Sequence, residues 1–300
     1  MWLSLAFLSA LLLGIYDTCK KAALNGNAVI PVLLLNTFFC SLLFLPLILV
    51  SHFSPHTLRD TILYVPPADF QTHLHIFFKS CIVLSSWLFA YFATKHLPIT
   101  IAAPIKASQP ILTLIGAMLF YGEALNLYQW IGVCIAIIAF ILLSVSGKKE
   151  GINFRHNIWI LFIVLATITG AMSGLYDKYL MSHGFHRMTV LVWYSYYQLA
   201  LMLIIALVLW YPNRKTTTPF MWRNSILFIS LFLVCADFVY FYALSQPESM
   251  ISIISMVRRS SVVVSFTAGA ILFREKNIGN KSIDLLLVLL GMFFLYLGTR

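Results

Sequence analysis

Acidic residues are what this sequence has least of for its size. Its 300 residues include only 10 Asp and Glu, and charge of either sign reaches just 10%. A soluble domain is about 25% charged, so an ordinary water-facing surface is excluded. The chain also lacks a GxxxxGK[ST] loop, which argues against direct use of ATP, and it lacks the HExxH of a metalloprotease. Its five cysteines, Cys19, Cys40, Cys81, Cys134 and Cys235, form no CxxC and no Cys/His ligand spacing. A zinc site or disulfide framework is therefore not expected, and the thiols read as small apolar packing residues. No metal and no cofactor is expected.

What the chain has is hydrophobicity: 61% apolar residues and a mean hydropathy of +0.90. A net charge of +10 on a soluble chain would suggest nucleic acid. Here the basic residues are read against a bilayer, so lipid is the expected partner and nucleic acid is not. The expectation is an all-α, multi-pass integral membrane protein, placed in a plasma (inner) membrane.

A membrane-spanning helix needs about 20 mostly apolar residues. Ten segments qualify: Trp2 to Lys20, Ala28 to Val50, Leu74 to Phe92, Ile99 to Phe120, Leu127 to Ser146, Ile158 to Leu180, Thr189 to Tyr211, Ser225 to Leu244, Ser249 to Phe273 and Ser282 to Gly298. The first lacks a basic start and is followed by Lys20 and Lys21, unlike a cleavable signal peptide. The longest loop, Ser51 to His73, carries Pro55, Pro66, Pro67, His52, His56 and His73, and reads as an interfacial segment.

At the midpoint, Gly147-Lys148-Lys149-Glu150-Gly151 separates five expected helices from five. Gly14-Ile15-Tyr16-Asp17 recurs as Gly174-Leu175-Tyr176-Asp177. Gly116 to Glu123 aligns with Ala268 to Glu275, a register that sets Lys106 opposite Arg258 and Ser108 opposite Ser260. The expected organisation is a five-helix repeat over 1–147, a linker over 148–156 and a second repeat over 157–300. Because five is odd, the repeats enter the membrane from opposite sides, as in secondary transporters.

Charge inside the bilayer costs at least about 2.5–3.5 kcal/mol per group and therefore needs a reason. Three cations fall well inside expected helices: Lys106, Arg258 and Arg259. Arg suits bidentate hydrogen bonding to carboxylate or phosphate. The carboxylates available to these cations are Asp17, Asp177 and Asp237, as ion-pair partners or coupling groups. Asp237 to Arg259 is one expected pair, and Asp17 and Asp177 could equally cap helices or pair with Lys20 or Lys178. Surplus positive charge would suit an anionic ligand, whereas full internal pairing would leave a purely structural network. Glu123 and Glu275 read as caps of the helices that follow them. Pro98, Pro104 and Pro110 bend the backbone around Lys106. Trp87, Trp130, Trp193, Tyr194, Tyr196 and Tyr197 could line a path or anchor the interface.

At these residues the chain resembles the drug/metabolite transporter superfamily, with two EamA-like five-helix repeats. Pro104-Ile105-Lys106-Ala107-Ser108-Gln109-Pro110 also resembles the IKAxEP stretch of sugar-phosphate/phosphate translocators, and Val257-Arg258-Arg259 resembles their VKR. Gln109 replaces the usual Glu, and Arg258 the Lys. The resemblance implies a substrate site at Lys106, Arg258 and Arg259. It also implies a secondary transporter, not an enzyme, that moves a small polar, anionic metabolite by alternating access, with a proton or counter-substrate as coupling partner. Two rivals stand beside it: an amino-acid or other metabolite exporter whose basic residues are only structurally paired, and an intramembrane enzyme or scaffold. Loop cations number twelve on one side and five on the other, which puts both termini outside, while the resemblance puts them in the cytoplasm.

Overall fold

A computed structural model describes residues 2–121, 126–148, 156–244, 257–274 and 278–298, together with Phe154 and Ile254. The described residues are helical with no strand. In hydrocarbon a helix satisfies every backbone N–H and C=O within its own segment, which is why apolar runs of this length take no other form.

The helices are α1 (Trp2–Leu24), α2 (Val29–Phe53), the short α3 (Pro55–Leu58), α4 (Phe70–His96), α5 (Ile99–Ala107), α6 (Gln109–Tyr121) and α7 (Leu127–Lys148). After the midpoint come α8 (Ile158–Ser182), α9 (Arg187–Ile205, continued by a π-helical turn Ala206–Trp210), α10 (Ser225–Leu244), α11 (Ser261–Ile271) and α12 (Ile278–Leu297). Six of them, α1, α2, α4, α8, α9 with its π turn, and α10, have the length and apolarity to cross a bilayer.

The polarity of the molecule is inverted relative to a soluble protein. Asn36, Ser230 and Lys281 are fully buried, while Leu207, Val208 and Leu209 in the π turn are more than half exposed. Such a surface belongs against lipid, and the chain is a multi-pass integral membrane protein.

The expected fourth span is not one helix. It breaks at Ser108, where α5 ends and α6 begins. The Ser108 backbone N–H bonds the Ile105 carbonyl at 3.2 Å, and its hydroxyl donates to the same carbonyl at 2.6 Å. The expected ninth span breaks likewise at Ser260, whose N–H bonds the Val257 carbonyl at 3.0 Å and whose hydroxyl donates to it at 2.6 Å. Beyond each serine the next turn closes identically, Ile111 N–H to Ser108 and Val263 N–H to Ser260. The sequence alignment of Ser108 with Ser260 therefore coincides with the same backbone event. Proline is not its common cause. Pro110 follows the first break, but Val262 occupies the aligned place in the second.

Helix packing is reciprocal between the halves. α1 packs on α10 as α4 packs on α8; α1 packs on α11 as α8 packs on α6; and α7 lies against α12, α2 against α9 and α5 against α11. This reciprocity corrects one detail of the sequence pattern. Gly14 lets α1 approach Ser261 and Val264, where an added Cβ would lie 2.4 Å from the Val264 Cβ. Its packing counterpart is Gly170, which lies against Gln109, the residue aligned with Ser261. Gly174, the matched position of the Gly-x-Tyr-Asp motif, has nothing within 4 Å. The motif is thus one helical turn out of step with the packing. Glu123, Glu275 and most of the midpoint linker lie outside the described residues.

Side chains stitch the two ends of the bundle. At the end where α1 finishes, Lys21 donates to the Thr94 and Leu97 carbonyls, Arg223 to Ala22, Lys95 to Thr218, and Lys281 to Thr100. Cations satisfy carbonyls at helix C-termini, where the helix dipole is negative. Lys20, Lys21, Lys95, Arg223 and Lys281, counted from sequence as topology signals, are thus engaged within the protein and weaken that charge count. At the other end, Asp69 caps α4 through Thr72, and Ser51 holds the Val65 N–H.

Candidate functional site

Each break places basic residues on the turn just before it. Lys106 lies near the end of α5, and Arg258 and Arg259 lie just before Ser260. At 1.5 Å per residue, Lys106 is about 10 Å inside the bundle, and Asp17 is about as far from the end of α1. They meet there: Lys106 Nζ lies 3.4 Å from Asp17 Oδ1, and Lys20 donates to the same oxygen. Lys20 also sits over the rings of Tyr16 and Tyr91, at 4.6 and 5.5 Å.

A second cluster lies toward the opposite end. Arg258 donates through Nη2 to Asp237 Oδ1, and the Tyr194 hydroxyl donates to Asp237 Oδ2 at 2.8 Å. The Arg258 guanidinium stacks over Tyr240 at 4.2 Å. Beside it, Lys79 pairs with Asp177 and lies 5.1 Å from the Tyr194 ring. A narrow crevice lined by Cys40, Phe44, Trp87, Leu191, Tyr194 and Asp237 reaches this cluster, and it has no room for a water-sized body.

These contacts revise the expected pairing. Asp237 meets Arg258, not Arg259. Adjacent helical residues point about 100° apart, so only one of the two can face α10. Asp177 meets Lys79 of α4. Lys20 and Lys79 were assigned from sequence to loops and helix ends, yet each side chain is 3% exposed. Each had a signal in the sequence: Lys20 stands one turn after Asp17, and Lys79 lies inside the apolar run Leu74 to Phe92. Asp17 and Asp177 sit in separate ion pairs and do not form the shared-proton dyad of an intramembrane protease. Among the described residues no His/Cys/Asp/Glu group could hold a metal.

Charge does not balance across these clusters. Lys20, Lys79, Lys106, Arg258 and Arg259 face Asp17, Asp177 and Asp237. Among the described residues Arg259 has no carboxylate within ion-pair distance, and its buried Nε has no hydrogen-bond partner. Arg258 holds Asp237 by one nitrogen only, and its Nε is also unpartnered. Guanidinium groups with free donors inside a protein are suited to an oxyanion.

Residues 1–145 match the model of the EamA-like transporter family, so the first half of this chain is similar to an EamA-like unit. The match suggests a membrane transporter of the drug/metabolite type. A solved protein structure 13% identical in sequence aligns with 99% of this chain and 98% of its own, at a TM-score of 0.66. At that identity the likeness is one of fold. No curated protein matches the sequence.

Proposed function

We propose that this protein is a secondary transporter of a small anionic metabolite. Two five-helix units, 1–147 and 157–300 joined by 148–156, alternate access to a site at Lys106, Arg258 and Arg259. The observation that carries the reading is Arg259: a part-buried guanidinium with a buried, unpartnered Nε and no carboxylate partner among the described residues, beside a second whose fork is half used. An anion offsets that surplus charge. Exchange against a counter-substrate or proton movement through Asp17, Asp177 or Asp237 supplies the driving force. The likeness of the Lys106 and Arg258 segments to sugar-phosphate translocators makes phosphorylated sugars the first compounds to try. A plasma (inner) membrane is the proposed location.

One observation favours the rival in which the basic residues are structural: Lys106 and Arg258 are both ion-paired. Arg259 decides between the two. Purified protein in proteoliposomes is assayed for uptake of phosphorylated sugars, carboxylates and amino acids. Arg259→Ala is expected to abolish uptake of the transported anion, and Lys106→Ala to cut it at least about tenfold, as loss of a charge-assisted bond implies. If both variants carry every anion as the wild type does, the anion site is refuted.

A further inference from the structure

The carboxylates that neutralise Lys106 and Arg258 share a feature that, among the described residues, Asp177 lacks. Asp17 presents Oδ1 to two ammonium groups, and these are held differently. Lys20 is buried, close to the carboxylate and boxed by Tyr16 and Tyr91. Lys106 stands at 3.4 Å with a side chain 25% exposed, on the turn next to the break. At the other cluster, Asp237 takes Arg258 on one oxygen and the buried Tyr194 hydroxyl on the other. Among the described residues Asp177 has only Lys79.

A buried carboxylate that loses its only partner is stranded, which strongly opposes separation. A carboxylate with a second, fixed partner releases the first at far lower cost. We propose that Lys20 and Tyr194 are positioning residues that hold Asp17 and Asp237 while Lys106 and Arg258 move from these carboxylates to the transported anion. The inference rests on the anion-transport reading. It assigns the two break cations to exchange and Lys79–Asp177, which has no such keeper, to a fixed latch. Lys20 keeps Asp17 neutralised throughout, so no uncompensated carboxylate appears as Lys106 swings away. Tyr194 keeps the Asp237 carboxylate hydrogen-bonded and oriented for the return of Arg258.

The test reads Lys106 directly. The full-length protein is treated with an amine-acylating ester, and modification of Lys106 is followed by peptide mass spectrometry in wild type, Lys20→Met and Lys20→Arg. With Lys20 gone, Lys106 has Asp17 to itself, and its acylation is expected to slow about tenfold, a modest share of a close charge pair's Coulomb energy. Lys20→Arg restores the wild-type rate. In proteoliposomes, Lys20→Met and Tyr194→Phe are each expected to raise several-fold the half-saturating concentration of the transported anion. An unchanged Lys106 acylation rate in Lys20→Met, at unchanged melting temperature, overturns the role of Lys20 whatever the protein carries. An unchanged half-saturating concentration in Tyr194→Phe overturns that of Tyr194. Slowed acylation together with intact uptake by Lys106→Ala leaves the positioning standing and removes the anion-site reading instead.

Discussion

The two halves break a helix at the same register but arm the break differently. In the first half the break carries one cation, Lys106, and Asp17 of the same half meets it along with Lys20. In the second half it carries two, Arg258 and Arg259, and Asp237 meets only the first. Repetition of the backbone event therefore does not repeat the charge. The common frame is the serine-closed turn; around it the first half sets two cations against Asp17, and the second half adds Arg259, which has no carboxylate at ion-pair distance among the described residues.

The largest expected effect tests that asymmetry. Asp17→Leu strands the buried Lys20 ammonium and the part-buried Lys106 ammonium, whereas Asp237→Leu strands one guanidinium stacked on Tyr240. Removing one partner of a buried pair costs about 3–5 kcal/mol, and Asp17→Leu is expected at or above the top of that range. Thermal unfolding in detergent should rank it below Asp237→Leu; the reverse order would mean that the two clusters are not organised as described.

A smaller effect tests the reciprocal packing. Gly14→Ala places its Cβ 2.4 Å from a Val264 branch carbon and 2.9 Å from the Ser261 carbonyl. Neither can rotate away, and overpacking of this kind costs about 1–3 kcal/mol. Gly170→Ala meets the end of the Gln109 side chain, which can turn, and is expected to cost less. Gly174→Ala meets nothing and should leave the melting temperature unchanged or slightly raised. Equal losses at Gly14 and Gly174 would restore the sequence-motif register over the packing one.

The smallest effect compares the breaks themselves. Ser108 is flanked by Pro104 and Pro110, which disfavour an unbroken helix with or without the hydroxyl. Ser260 has no proline within two residues. Ser260→Ala therefore removes the local device that ends the helix there. It is expected to cost about 1 kcal/mol, the worth of one hydrogen bond, against less for Ser108→Ala. A proteoliposome assay should also find uptake more impaired by Ser260→Ala, because that turn aims both Arg258 and Arg259.

Much of the fold was legible because membrane helices announce themselves by length and apolarity. α2, α8 and α10 follow their apolar runs to within a few residues. Legibility failed where one chain position served two segments, as at Ser108, since hydropathy is blind to a single turn that changes hydrogen-bonding pattern. It failed again for Lys20 and Lys79, because an ammonium near the edge of an apolar run looks like the start of a loop. Lys20 is drawn inside by Asp17 one turn back on α1, which extends past its apolar run, and Lys79 by Asp177 of α8.

By itself the sequence determined that this chain lives in a bilayer, that its backbone is helical, and that Lys106 and Arg258 occupy aligned places beside aligned serines. Those properties follow from local chemistry: apolar length, and the identity of residues on one strand of chain. The tertiary structure decided which charges cancel. Asp177 reaches Lys79 across 98 residues of sequence and Lys106 reaches Asp17 across 89, so no reading of neighbours could pair them. Which cations share a carboxylate, and which has none among the described residues, is a property of the packed bundle: Lys20 and Lys106 share Asp17, and Arg259 has none.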